Sequence, residues 1–109
     1  MYEKLVRDNI PQIIKKNNQE PIIKTLSDEE YKKELEKKLY EEYNEVLHSE
    51  QENRIEELAD MLEVMISLAE LENKSFKDIE KARILKKEKR GGFSKRTYLI
   101  GVNNEKINE

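Results

Sequence analysis

The stretch RIEELADMLEVMISLAELE, residues 54–72, limits the fold more than any other part of this chain. Ile55, Leu58, Met61, Leu62, Met65, Leu68, Ala69 and Leu71 recur at helical spacing and spread around almost the whole circumference. Only Glu56, Glu63, Ser67 and Glu70 form a polar strip, so such a helix needs cover on more than one side. A second periodic run precedes it. Ser27 and Glu30 read as an S-x-x-E capping box, and Tyr31, Leu35, Leu39, Tyr43, Val46 and Leu47 follow at spacings of three and four. The two runs are separated by the short polar turn SEQEN, which forces the helices to lie antiparallel. The spacing therefore predicts an all-α fold, an antiparallel helical bundle built on a long helical hairpin.

The flanking segments add smaller elements. Asp8 is placed to cap a short helix through NIPQIIKKN with Pro11 in its first turn, and EPIIKTL reads as an extended connector. Ser75 and Asp78 open a third amphipathic helix through Ile79, Ala82, Ile84 and Leu85, which Gly91 and Gly92 end. A short extended C-terminal segment, FSKRTYLI, follows. Residues 1–102 are expected to form one helical domain, with 103–109 a polar tail that frays. The composition agrees: of 109 residues 41% are charged and 36% hydrophobic, with 3 Gly and 2 Pro, a balance that favours amphipathic helices. The chain has no Cys, which excludes a disulfide framework, thiolate metal sites and cysteine nucleophiles. No apolar signal core opens it and no window reaches the roughly 20 apolar residues of a membrane span, so a cytoplasmic protein without membrane attachment is expected. A net charge of −3 gives no general pull towards nucleic acid, and none is expected as a partner. Lys86, Lys87, Lys89, Arg90, Lys95 and Arg96 nevertheless form a local basic cluster.

Chemistry is signalled by paired acids. EEYNE sets Glu42 three residues before Glu45, and EELAD sets Glu57 three before Asp60. On a helical wheel Glu42 falls between Leu35, Leu39 and Val46, inside the apolar arc, with Glu45 at its edge; Glu57 and Asp60 share a face with Val64 and Leu71. Glutamates on such helices are commonly solvated or paired with lysines at i, i+4. Two pairs on the inner faces of one hairpin are different. Unpaired buried carboxylates cost several kcal/mol or protonate, and together they ask for a cation. An all-oxygen donor set with one His in the chain suits Mg²⁺, or Mn²⁺, better than zinc. His48 reads as a cap or surface residue, and Tyr31, Tyr40 and Tyr43 chiefly as packing residues.

EEYNE followed by EELAD resembles the ExxE and ExxD metal motif of the MazG-like all-α nucleotide pyrophosphohydrolases, which include phosphoribosyl-ATP pyrophosphohydrolase and dimeric dUTPases. KLVRDNIP and KKEKRGGF are similar to segments of the single-domain, phosphoribosyl-ATP pyrophosphohydrolase-like members. The resemblance runs from about Tyr2 to Leu99. It implies that Glu42, Glu45, Glu57 and Asp60 hold Mg²⁺, that Glu41 assists a second ion or the attacking water, and that a nucleoside triphosphate is cleaved to monophosphate and pyrophosphate. Positive side chains must then meet the phosphate tail, and Lys4, Arg7, Lys87 and Arg90 are the nominees. Phosphoribosyl-ATP hydrolysis in histidine biosynthesis is a second expectation, and a metal-free helical interaction module a third. The apolar excess of residues 54–72 predicts a homodimer or homotetramer, and the resemblance implies the same.

Overall fold

The computed structural model describes residues 3–104. They form four α-helices: α1 (Ile10–Lys16), α2 (Asp28–His48), α3 (Arg54–Leu71) and α4 (Phe76–Arg90). No strand occurs among the described residues. Of the expected tail, 105–109 lie outside them.

The helices α2 and α3 pack closely as the expected hairpin. One turn of 3-10 helix, Gln51–Asn53, bridges them. The start of α2 is a complete capping box: the Ser27 hydroxyl accepts from the Glu30 N–H at 3.2 Å, and the Glu30 carboxylate accepts from the Ser27 N–H at 3.0 Å. That backbone bond, followed by the Ser27 hydroxyl and Lys24, holds the Glu30 carboxyl below its ordinary pKa. At the start of α4 the Asp78 carboxylate accepts from the Ser75 N–H at 2.7 Å and its hydroxyl at 3.1 Å.

Helix α1 starts differently from the expectation. Its N-cap is Asn9, in αR geometry with no side-chain cap bond, so Asp8 does not cap it. The helix begins one residue later than a cap at Asp8 requires, and Pro11 still falls in its first turn, where a missing N–H leaves no intrahelical bond unmade. Helices α1 and α3 both end on asparagines at positive φ, Asn18 (61°) and Asn73 (59°). Beyond α3 the Asn73 N–H donates to the Glu70 carbonyl at 3.0 Å and the Lys74 N–H to the Ala69 carbonyl at 3.0 Å, a Schellman ending. Gly91 stops α4 at φ 84°, ψ 177°, a conformation almost confined to glycine.

What the hairpin does not do is enclose a large core. Leu35 on α2 and Val64 on α3 are the buried side chains among the described residues. On α3 the stripe Ile55, Leu58, Leu62 and Met65 is exposed. On α2, Tyr40 and Tyr43 are exposed too, so of the three tyrosines expected to pack only Tyr31 is half-covered. No Cα of α1 lies within 8 Å of a Cα in another helix, and α4 approaches α3 alone. The connector before α2 has no regular secondary structure, and the expected extended segment FSKRTYLI opens instead with a turn, the Arg96 N–H donating to the Phe93 carbonyl at 3.0 Å with Arg96 at φ 59°; Ile22 and Ile100 are almost fully exposed.

Candidate metal centre

Along α2, position 42 faces α3 and is drawn into the helix contact by its apolar neighbours; along α3, positions 57 and 60 are one turn apart and return that face. The result is a cluster in which one carboxylate oxygen each from Glu42, Glu57 and Asp60 lies within 4.8 Å of the others, all three residues half-buried. Glu42 is the most covered, its side chain 14% exposed. Its carboxyl is pushed above the ordinary value, first by burial and then by the charges of Asp60, Glu57 and Glu45, against a lowering by Lys38.

The remaining nominated acids sit outside the cluster. Glu45 is exposed and acts on Glu42 through its charge rather than as a member of the triad. Its place at the edge of the apolar arc leaves it in solvent. Glu41 is exposed, 3.9 Å from Lys38.

The nominated bases divide. Arg7 reaches the cluster, its guanidinium donating to Asp60 at 2.7 Å. Lys4 is exposed in the same N-terminal stretch. Lys87 and Arg90 are exposed at the far end of α4 and make no ion pair among the described residues. A cation missed by sequence reasoning is Lys38, whose ammonium lies 3.9 Å from both Glu41 and Glu42. Its spacing of three and four from those acids was the available signal. His48 behaves as a helix-end residue, its Nδ1 2.8 Å from the Asn44 carbonyl.

The donor set fits a hard divalent ion. Three carboxylate oxygens from facing helices offer no nitrogen or sulfur and lie within 4.8 Å of one another, and an octahedral Mg²⁺ site places oxygens up to roughly 4.2 Å apart across the ion.

Fold and cluster thus define a class: an all-α protein whose central hairpin brings three carboxylates together. Comparison with protein-family models, with curated proteins and with solved structures finds no match to this chain. No helix of the described residues is long and apolar enough to cross a membrane.

Proposed function

We propose that this chain is a Mg²⁺-dependent nucleotide pyrophosphohydrolase of the MazG-like kind, cleaving a nucleoside triphosphate to monophosphate and pyrophosphate in the removal of surplus or non-standard nucleotides. Mn²⁺ is the alternative ion. The observation that carries the reading is the convergence of Glu42, Glu57 and Asp60 from two helices onto one point. Burial raises the cost of ionised Glu42, so the arrangement is poorly suited to an empty surface and well suited to a cation.

Glu42, Glu57 and Asp60 would hold the ion, with Glu45 reserved for a water-bridged or shifted contact. When bound, the ion supplies charge neutralisation at the phosphate oxygens and acidifies water. Glu41, outside the cluster and solvated, accepts the proton of the attacking water. Attack at the α-phosphorus breaks the bond to the bridging oxygen, and the pyrophosphate leaves. Arg7 is in reach of the tail once it exchanges Asp60 for phosphate, a group its fork binds equally well, and Lys4 adds charge beside it.

A screen of nucleoside triphosphates and phosphoribosyl-ATP with Mg²⁺, read by pyrophosphate release, tests this. Turnover of phosphoribosyl-ATP alone assigns the histidine-pathway reaction instead, and release of orthophosphate from a triphosphate rejects both. One observation favours a non-enzymatic module, the direct Arg7–Asp60 pair, since bases can satisfy these acids without metal. Such a module shows no Mg²⁺ binding by calorimetry.

A further inference from the structure

Basic side chains are common on this chain, and covered ones are not. Of the lysines and arginines among the described residues Lys38 alone is not exposed, its side chain 21% accessible. Its register explains the cover. Lys38 follows the buried Leu35 by three residues and precedes Glu42 by four, so all three share the face of α2 that meets α3. The stem lies along the apolar stripe and carries the ammonium to the acids. There it stands 3.9 Å from Glu41 and 3.9 Å from Glu42. Glu41 lies about 60° to one side of Lys38 around the helix and Glu42 about 40° to the other, which puts the ammonium between them.

An ordinary i, i+4 helix pair is solvated and worth about 0.3–0.5 kcal/mol. Lys38 differs in two respects. It gives up part of the hydration that such a pair keeps, and the acids it joins belong to the candidate metal centre. Glu42 is a member of the triad that converges from two helices; Glu41, solvated beside it, is the carboxylate assigned to the attacking water. In two-metal sites the ions stand about 3.5–4 Å apart, close enough to share a carboxylate, so a second ion here would have to sit between Glu42 and Glu41. Lys38 already brings a positive charge to that place. Other bases are engaged or distant. Arg7 pairs with Asp60, and Lys87 and Arg90 stand on α4, whose first turn adjoins Ala69 and Glu72 at the end of α3 opposite to Glu57 and Asp60. Charge agrees: Glu41, Glu42, Glu57 and Asp60, set against Lys38 and Arg7, leave two negative charges, those that one divalent ion neutralises.

We propose that Lys38 is a positioning residue standing where a second ion would bridge Glu41 and Glu42, so that the chain binds a single divalent ion, on Glu42, Glu57 and Asp60, and Glu41 is left to the attacking water. That an ion binds at all rests on the metal-dependent reading above; that a second is excluded rests on Lys38.

Mn²⁺ alone, without nucleotide, counts the ions without any turnover. Titrated into the full-length chain and followed by electron paramagnetic resonance, it should saturate at one tightly held ion per chain with an uncoupled signal. Lys38→Met removes the ammonium while keeping much of the stem's bulk, and should admit a second ion, the two showing the spin coupling of Mn²⁺ ions about 3.5–4 Å apart. Lys38→Arg keeps the charge and should hold the count at one. A lysine of merely structural value leaves one ion in all three proteins, and that result overturns the proposal. So does a second ion in Lys38→Met that binds without coupling, as an adventitious ion on an acidic surface would. A coupled pair in the unaltered chain also overturns it and leaves the metal-dependent reading standing, whereas no bound Mn²⁺ in the unaltered chain overturns both. Should Lys38→Met lose helical circular dichroism, Lys38→Gln makes the same measurement with a polar side chain at the half-covered position.

Discussion

Glu42 is where the stability of the fold and the proposed function meet in one residue. Its carboxyl is raised above the ordinary 4.5 chiefly by burial and then by neighbouring acids. The folded chain therefore holds this proton more tightly than the unfolded one. Stability from this group is full below pH 4.5 and is lost as pH rises through the higher folded value. Glu42→Gln should stabilise the metal-free protein at neutral pH, an advantage that vanishes below pH 4.5 in urea unfolding followed by circular dichroism. The same substitution, like Asp60→Asn, should reduce Mg²⁺-dependent turnover by about 100-fold or more, the scale expected when an orienting charge is removed from a metal site. Glu45→Gln should cost less than about tenfold, because Glu45 is exposed outside the cluster. Equal losses for Glu45 and Glu42 would mean that the ion sits further along α2. Arg7 adds a test of opposite sign. Its pair with Asp60 is half-exposed and worth about 0–1 kcal/mol to stability, but it competes with a cation for the same carboxylate. Arg7→Ala should tighten Mg²⁺ binding in calorimetry while raising the KM for nucleotide; weaker binding of both would make Arg7 a positioning residue for the acids.

At the scale of elements, the sequence was legible wherever a local rule decides the outcome. The S-x-x-E box at Ser27 and the glycine at 91 mark helix ends through their own backbone chemistry, and both appear where expected. Ser27→Ala should destabilise the protein by about 1 kcal/mol in chemical denaturation, because the Glu30 N–H would lose its acceptor. A change below a few tenths of a kcal/mol would show that α2 does not fold cooperatively with the hairpin. Where competing residues can serve, the sequence was ambiguous. Asp8 and Asn9 are both good caps, and the turn preceding α1 selected Asn9, without a side-chain bond. The asparagine endings at 18 and 73 carry only a weak signal, since asparagine visits positive φ occasionally while glycine does so freely. The acidic triad was legible because helical period places Glu42 and the Glu57–Asp60 pair on facing surfaces. Glu45 stands outside the triad and exposed: its i, i+3 displacement of about 60° turns it from α3, whereas the same displacement on α3 keeps both Glu57 and Asp60 towards Glu42. Lys38 escaped notice because a lysine among many reads as solvated surface until its partners are fixed in space.

For the whole molecule, the expected pairing of two copies would draw on apolar area and on charge separately, and salt would tell the two apart. The Debye length falls from about 10 Å at 0.1 M salt to about 3 Å at 1 M, whereas apolar burial is not weakened by that change. The stripe Ile55, Leu58, Leu62 and Met65 should hold two copies together at either ionic strength, while the basic end of α4 should be drawn to the acidic hairpin only when salt is low. If apolar area dominates, high salt is expected to leave the mass in light scattering unchanged. Met65→Lys attacks the other force. A charge at the end of the stripe removes apolar contact and leaves an unpaired ammonium in any interface built on it, so light scattering at micromolar protein should give a particle near the 13.0 kDa of one chain. Because Met65 is at the helix surface, 36% exposed, helical circular dichroism should survive. Turnover should fall with the mass, since a lone chain keeps its carboxylates but has Lys87 and Arg90 at the wrong end of the hairpin. A Met65→Lys monomer with undiminished activity would show that one copy supplies every group the reaction needs, and a Met65→Lys dimer would place the apolar seam elsewhere on the hairpin.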